Sequence, residues 1–514
     1  MAKPTEPSPL PSDPITPAPI AAHTTNTDIE LNAIPISKDP SKENSIDPYL
    51  VTFTLPTDPS NPKDWPTGKK WAVTDVLSAT GFNRIMVSTI MSPALPLISS
   101  ELQMSSTESA MALSIYLLAT AIGPLLIGPL SEVYGRKPIL HVSNVWFLIW
   151  NLVCGFADTK EVLIAARFLA GFGASAIYAL ASGVLGDVWR PEQRGKSLGV
   201  YLLIPLLGSA VGPIIGGFMA GRTTWRWMFW STSIFQAIMI AVSFNVFKET
   251  HAPTILKKRA AKLRRTRHDP RYQTLEERQH TEHQHTYLSM LGRATTRPLR
   301  LLLTHPIIQI NALISAFDYG ILYIVLSTFS SLWTEHYNMS VELSGLHYIA
   351  IATGEVLGSQ VTAYLMDWHY ARHRTTHSDL TPESRLPLTL LGALLGPLGL
   401  FFYGWSASYK LHWSIVDTAM FLASFGMQSN GMPMSAYIIE VYPQHISSAA
   451  AAAQLLRSLT AFCFPLFAPS MYKVLGYGWA NSTLAFAGLA LGVPAPLGLW
   501  WVGGRLRARM GSSY

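Results

Sequence analysis

The sequence predicts an all-α membrane protein in which twelve transmembrane helices form two bundles of six. Three observations support this fold class. Of the 514 residues, 49% are hydrophobic and only 13% are charged, whereas about 25% of the residues of a soluble protein are charged. Apolar runs of roughly 20 residues recur along the chain, and each can cross a hydrocarbon core about 30 Å thick. A basic stretch without such a run divides the chain in the middle.

The apolar runs are predicted to be helices, because in lipid only helices and closed barrels satisfy their own backbone polar groups. The runs are too long and too continuously apolar for barrel strands. We expect twelve helices, at 72–99, 109–130, 138–157, 162–186, 197–220, 226–247, 306–330, 344–366, 387–405, 412–438, 447–471 and 479–502.

The expected organisation has five parts. The first part is rich in Pro, Ser and Thr and has no apolar periodicity, so we expect it to be disordered. Two six-helix halves around a linker suggest a duplicated architecture with a substrate site between the halves, near mid-membrane. The parts are a cytoplasmic tail at 1–66, an N-terminal bundle at 67–247, a basic cytoplasmic linker at 248–303, a C-terminal bundle at 304–504 and a cytoplasmic tail at 505–514.

The placement of Lys and Arg predicts the orientation. Arg136 and Lys137 follow the second run, Arg190 follows the fourth and Arg372 follows the eighth, while the alternate connections carry mainly Glu and Asp. Cytoplasmic loops carry an excess of Lys and Arg, so both termini should face the cytoplasm. The net charge of +7 reflects this asymmetry and does not indicate nucleic-acid binding, since the basic stretches are not interleaved with aromatic residues.

The linker also contains several histidines, near His280, His283 and His285. We interpret it as a solvated segment whose cations lie at the anionic inner leaflet. A metal-binding histidine tract is the alternative, but no spacing resembles a closed metal site. Cys154 and Cys463 fall inside helices and imply no disulfide framework. We expect no metal, no cofactor, no ATP-binding loop and no enzymatic activity.

Four charged residues fall near the middle of predicted helices: Arg84 in helix 1, Asp318 in helix 7, Glu355 in helix 8 and Arg457 in helix 11. A charge at this depth is costly unless it faces a cavity or a partner, so we expect these side chains to face a central cavity. Our hypothesis is that Asp318 and Glu355 carry the transported protons. The alternative is a static ion pair, such as Arg84 with Asp318, that holds the two halves together.

The connection between the second and third helices reads Gly128-Pro-Leu-Ser-Glu132-Val-Tyr-Gly135-Arg136-Lys137. Gly128 is expected to allow close helix packing, Glu132 to end the helix and Gly135 to permit the turn. The string resembles the corresponding loop of the major facilitator superfamily, although that family more often has Asp where this chain has Glu132. The resemblance implies that the carboxylate pairs with basic loop groups and that Asp187, at the end of helix 4, joins this latch.

Helix 4 contains Arg167-Phe-Leu-Ala-Gly171-Phe-Gly173-Ala174. This string is similar to a superfamily motif, and the similarity implies that Arg167 takes part in proton transfer. The alternative is that Arg167 extends to the outer interface and is solvated there.

Helix 5 carries small residues at every fourth position, a spacing that lets two helix backbones approach closely. The string resembles the antiporter motif of drug:proton exchangers, which implies export, and helix 8 offers Gly354 and Gly358 as a matching pair. The residues of the helix 5 motif are Gly208, Gly212, Pro213, Gly216 and Gly217.

Strings such as Asp58-Pro-Ser-Asn-Pro-Lys-Asp-Trp65 and Trp225-Arg-Trp-Met-Phe-Trp230 resemble the fungal twelve-span drug:proton antiporters, which export drugs, polyamines or secondary metabolites. The resemblance implies the major facilitator fold, a small organic substrate, protons as the second partner, a monomer, and the plasma membrane, with the vacuolar membrane as the alternative. Import of an organic acid or vitamin is the alternative function. The aromatic residues expected to line the substrate cavity are Tyr116, Tyr319, Tyr323 and Tyr348.

Overall fold

The computed structural model describes residues 49–54, 56–278, 287–376, 381–442 and 446–510. In these residues twelve helical passes form the two predicted halves. The first half contains α1 (Thr67–Thr89), α2 (Ser106–Tyr134), α3 (Arg136–Gly155), α4 (Lys160–Val188), α5 (Pro191–Arg222) and α6 (Arg226–Val246). The second half contains α7 (Pro306–Ser331), α8 (Tyr348–Thr376), α9 (Thr389–Ser408), α10 (Trp413–Val441), and α11 and α12 within Ile446–Gly492.

Helices α11 and α12 meet at Gly476, whose φ of 68° and ψ of 173° break the helical path. A side chain strongly disfavours this backbone conformation, so glycine is suited to the turn. After Gly492 the chain continues as a further helix, Pro494–Met510. The predicted tail at 505–514 therefore begins within a helix, and residues 511–514 lie outside the described residues.

The helices differ in mean hydropathy, and those with polar residues on their interior faces have the lower values. Eight helical stretches of the described residues are apolar and long enough to cross a membrane by composition alone. Helices α1, α8 and α10 fall short of that mark, because they carry interior polar residues such as Arg84, Glu355 and Asn430. The helices whose sequences are least typical of a membrane span are thus among those that contribute to the interior.

Each half packs mainly within itself. In the first half α1 packs against α5 and α6, and α4 packs against α2 and α3. In the second half α10 packs against α8 and α9, and α7 packs against α11. Between the halves, α2 contacts α11, and α5 contacts α8 and the short helix Val341–Leu346 that precedes it.

The prediction of a disordered tail up to residue 66 is wrong for its last part. Asp58 is 4% exposed and Trp65 is 6% exposed, and Arg259 of the linker binds the Asp58 carboxylate at 2.6 Å. Burial alone would raise the pKa of Asp58, but hydrogen bonds from Ser60, Thr54 and Arg259 hold that pKa below its ordinary range. Residues 1–48 lie outside the described residues.

Most of the linker that the structure describes is helical, with helices at Ala252–Arg267 and Tyr287–Thr304. The second of these contacts both α2 and the stretch that contains α11. The linker is therefore packed against both halves, which the expectation of a solvated segment did not include. His280, His283 and His285 lie outside the described residues.

The two ends of the bundle differ in what they carry. We call the end with the linker, Arg136 and Arg190 the linker face, and the end with residues 90–105 and 332–347 the opposite face. At the opposite face the halves are joined by an ion pair between Arg222 and Glu342, at 3.1 Å. The Ser330 hydroxyl also donates to the carbonyl of Pro93, at 2.9 Å. These bonds join the two halves at the opposite face.

Candidate functional site

Three side-chain hydrogen bonds join the two halves near the middle of the bundle. They connect Ser88 of α1 with Tyr323 of α7 at 3.5 Å, Thr120 of α2 with Ser458 of α11 at 3.1 Å, and Ser209 of α5 with Glu355 of α8 at 3.0 Å. Polar bonds at this depth, away from lipid, define a candidate site between the halves.

Glu355 lies at the junction of the halves. Its Oε2 accepts the hydrogen bond from Ser209, and it interacts electrostatically with Tyr323. The side chain is half-buried, so part of it faces open space within the bundle. A carboxylate in this place can change its bonding across the halves when it gains or loses a proton.

Asp318 of α7 lies towards the interior of the second half, away from the junction of the halves. Its Oδ2 accepts a hydrogen bond from Asn430 of α10 at 2.9 Å, and it interacts electrostatically with Arg457. It lines a cavity of about 10 Å³ that is also bordered by α9, α10 and α12, which is the space of about one water molecule. Asp318 therefore has room for a water molecule beside its carboxylate.

Arg84 is buried in the first half, with 1% of its surface exposed. Its Nη2 donates to Asn144 of α3 at 2.6 Å, and its guanidinium lies 3.5 Å from the ring centre of Phe147. Its Nη1 is buried without a hydrogen-bond partner among the described residues. Because Arg84 bonds to Asn144 and Asp318 to Asn430, the alternative of a static pair between Arg84 and Asp318 is wrong.

Arg457 of α11 is half-buried and lies over an aromatic ring. Its guanidinium carbon is 4.1 Å from the ring centre of Tyr319, a favourable contact between a cation and a π system. Its Nε is buried and has no hydrogen-bond partner within the part of the chain that the structure describes.

Arg167 is completely buried, so the alternative that it extends to the outer interface is wrong. Its three nitrogens donate to the backbone carbonyls of Val87, Ala112 and Leu113, at 3.0–3.3 Å. Its guanidinium also lies 4.7 Å from the ring centre of Tyr116. In this conformation Arg167 connects α4 to α1 and α2.

The predicted cavity tyrosines do not share one environment. Tyr319 and Tyr323 contact each other, with ring centres 5.7 Å apart. Tyr116 donates to the carbonyl of Arg84, and Tyr348 to that of Leu326, each at 3.1 Å. Both of these rings are fully buried, which makes them part of the packed core. Tyr319 and Tyr323 are the members that reach the junction of the halves.

The loop between α2 and α3 is held by a different carboxylate from the expected one. Glu132 is exposed, whereas Glu249, after α6, accepts bonds from the backbone N–H groups of Arg136 and Lys137, at 2.9 and 3.3 Å. An anion at the start of a helix is stabilised by the free N–H groups and by the helix dipole. Glu249 thereby caps α3.

The side chain of Arg136 meets Asp187, as the resemblance implied, at 3.4 Å. Gly135 has a φ of 98°, and a Cβ there would meet the carboxylate of Glu249. The space around Gly128 is open, so the expectation of close packing at this glycine is wrong. We call Ser131, Arg136, Asp187, Glu249 and Thr250 the loop cluster.

The small residues of α5 pack directly on α1. A Cβ on Gly208 would lie 2.8 Å from the carbonyl oxygen of Phe82, and one on Gly212 would lie 2.7 Å from that of Met86. A Cβ on Gly216 would overlap the carbonyl of Ile90. Three successive turns of α5 therefore touch the backbone of α1 and of the residue that follows it, which a larger side chain would prevent.

The same stripe of α5 also reaches the second half. A Cβ on Gly217 would lie 2.9 Å from the carbonyl oxygen of Val341, and a Cβ on Gly345 would lie 2.8 Å from that of Pro213. Gly354 and Gly358 do not face α5. They pack against Phe421 and Phe425 of α10, so their prediction as the partners of α5 is wrong.

Sequence reasoning missed the partners that hold the charged side chains. Asn144, Asn430 and Ser209 are polar residues inside helices, and helical periodicity alone does not distinguish a ligand of a charge from a residue that bonds its own helix. Glu249 follows α6 in a Lys-Glu-Thr-His string that the sequence analysis did not assign to a site. Tyr178 is 37% exposed yet interacts electrostatically with Tyr319 across the halves.

Comparisons with known proteins agree with this architecture. The family model described as Major Facilitator Superfamily matches residues 77–465. A protein named probable efflux pump mfs2, of Aspergillus flavus, is 53% identical over 429 residues, which are 83% of this chain and 100% of that protein. The efflux pump vrtL of Penicillium aethiopicum is 41% identical over 94% of this chain and 95% of its own length.

Solved structures show the same fold at lower identity. The xylose transporter XylE of E. coli, in a partially occluded inward-open conformation, matches with a TM-score of 0.60 and 16% identity, over 84% of this chain and 98% of its own. At this identity the match establishes the fold. Together with the family model and the relatives, it shows that this chain is a multi-pass membrane transporter, not an enzyme, and that it belongs to the major facilitator superfamily.

Proposed function

We propose that the protein is a proton-coupled antiporter that exports small organic molecules by alternating access. The observation that carries this proposal is the stripe of small residues on α5, which packs on α1 and on the start of the second half. In this conformation the packing joins the halves towards the opposite face, and Glu355 lies between the halves. The names of the two fungal relatives, which describe efflux pumps, support the direction of transport.

The coupling would act through the two carboxylates of the second half. A charged carboxylate is a stronger hydrogen-bond acceptor than a protonated one. Protonation of Glu355 would therefore weaken its bond to Ser209, one of the links between the halves, and favour their rearrangement. Asp318, beside its small cavity, would exchange a proton through a bound water.

We place the linker face in the cytoplasm, because Arg136, Lys137 and Arg190 lie there and cytoplasmic loops are enriched in such residues. Both termini would then be cytoplasmic. We further propose that the protein acts as a monomer in the plasma membrane. The site between the halves is formed within one chain, so transport does not require a second copy.

The test is transport in whole cells followed by transport in vesicles. Deletion and overexpression strains are scored against antifungal compounds, polyamines and the host's own metabolites. A compound whose toxicity rises on deletion is then followed in inside-out vesicles with an acidic lumen. We expect gradient-dependent uptake by these vesicles, and loss of that uptake in Glu355→Gln. Cellular accumulation that rises on expression, with unchanged sensitivity throughout, would establish import instead.

A further inference from the structure

Two guanidinium groups near the middle of the bundle have incomplete bonding. Arg84 has a buried Nη1 and Arg457 a buried Nε without a hydrogen-bond partner among the described residues. Neither cation forms an ion pair with a carboxylate of the described residues: Asp318 lies near Arg457 but accepts its hydrogen bond from Asn430, and Glu355 accepts one from Ser209. A buried charged donor without a partner is more costly than a neutral one, so these cations favour an added acceptor.

Aromatic rings lie next to both cations. Arg457 lies over Tyr319, and Arg84 interacts electrostatically with Tyr178 and Tyr116. Tyr178 in turn lies near Tyr319 and Tyr323 of the other half. Because Tyr178 is 37% exposed despite these neighbours, it faces open space inside the bundle. The rings of Tyr178 and Tyr319 thus border that space near Arg457.

The two cations differ in access. Arg84 is 1% exposed and is held by Asn144 and Phe147, so it contributes a fixed positive charge. Arg457 is half-buried, and its buried Nε has no hydrogen-bond partner among the described residues. A guanidinium presents donors in a plane that matches a carboxylate or a similar anion. Arg457 is therefore the group that a cargo can reach.

We propose that the cargo is an organic anion on an aromatic frame, with its acidic group bound by Arg457 and its ring packed on Tyr319 and Tyr178. This inference rests on the proposed function and specifies its substrate class. It removes polyamines from the candidate cargoes, because a polycation would face the unpaired guanidinium groups of Arg84 and Arg457.

The test measures equilibrium binding of three probes of the same shape to the full-length protein in nanodiscs at pH 7. The probes are 2-naphthoate, 2-naphthalenemethanol and 2-naphthylmethylammonium. We expect naphthoate to bind about tenfold more tightly than the other two. Arg457→Gln should abolish this preference, and Arg457→Lys should retain part of it, because the charge remains while the planar donor set is lost. Lys410→Gln, at an exposed cation on the opposite face, should leave the preference unchanged.

Thermal melting of each variant shows whether it is folded. Equal affinities for the three probes, a preference for the ammonium probe, a preference that survives in folded Arg457→Gln, or no binding at millimolar concentration would each overturn the inference. The binding experiment requires no flux. A protein that moves compounds outward in vesicles but shows no anion preference would disprove this inference alone, whereas anion binding without outward flux would disprove the proposed export alone.

Discussion

The two halves treat a charged residue on their first helix in different ways. Arg84 of α1 and Asp318 of α7, the first helix of each half, are each bound by one asparagine, at 2.6 and 2.9 Å. Arg84 is enclosed and stacked on Phe147, whereas Asp318 is half-buried beside a small cavity. The two first helices thus share the kind of partner but not the accessibility of the charge. In the proposed coupling, the first half holds a fixed charge and the second half holds the carboxylate that exchanges a proton.

The carboxylates of the first half reinforce this contrast. In the helices of the first half, Glu108 and Glu161 lie in first turns and Glu132 and Asp187 lie in the last turns of α2 and α4, while Asp75, inside α1, is exposed. Asp318 and Glu355 instead lie within the second half's helices. If proton exchange belongs to the second half, the two halves should respond differently to equivalent changes.

The largest effect is expected from neutralising the carboxylates of the second half. Asp318→Asn and Glu355→Gln should each reduce gradient-driven flux by about a hundredfold, the scale of loss when a proton-transfer group is removed. The protein should remain folded, since an amide is close in shape to a carboxylate. Vesicle flux with and without an imposed acid gradient measures this effect. If the flux of both variants responded to the acid gradient as strongly as that of the unmodified protein, the proposed coupling would be disproved.

The next largest effect is expected from the asparagine partners, whose replacement should affect stability and flux differently in the two halves. Asn144→Ala leaves the enclosed Arg84 with fewer bonds and should lower the free energy of unfolding by about 1.5–3 kcal/mol. Asn430→Ala leaves Asp318 next to a cavity that can hold a water, so it should change flux more than stability. Thermal melting and vesicle flux on both variants make the comparison. Equal losses of stability would show that the two charges are equally enclosed.

A smaller effect is expected where both halves use glycine for close packing. Gly216→Ala should disturb the contact of α5 with Ile90, and Gly354→Ala the contact of α8 with Phe421, each destabilising by about 1–3 kcal/mol. Gly128→Ala is the matched control, because its surroundings are open. Thermal melting measures all three variants. A loss at Gly128 as large as the others would contradict the packing argument.

The smallest effect is the pH dependence of stability that we expect from His251, the residue after Thr250 of the loop cluster. Burial, with Arg136 nearby, lowers the pKa of His251 from 6.5 to about 4. A lowered folded pKa means that stability is present above the unfolded pKa of 6.5 and is lost as pH falls through about 4. The loss should be only about 0.5 kcal/mol, because His251 is partly exposed and screened by solvent. Melting of the protein between pH 7 and pH 4 measures it, and His251→Gln should flatten this part of the profile.

The architecture could be predicted from the amino-acid sequence alone. The apolar runs predicted twelve helices in two halves, because run length is set by the thickness of the hydrocarbon core. Buried charged residues can also be recognised in a sequence, because a charge within an apolar run is costly and requires a cavity or a partner. Arg84, Asp318, Glu355 and Arg457 were identified in this way.

The contact partners of these charged residues, of the α3 N-terminus and of α5 could be identified only from the folded structure. That Asn144, Asn430 and Ser209 bind the charges, that Glu249 and not Glu132 caps α3, and that Gly345 and not Gly354 meets α5 depend on helix rotation and on contacts between residues far apart in the chain. Helical spacing fixes which residues share a face of one helix. It carries no information about which helix lies opposite that face, and this pairing is set by packing of the whole bundle.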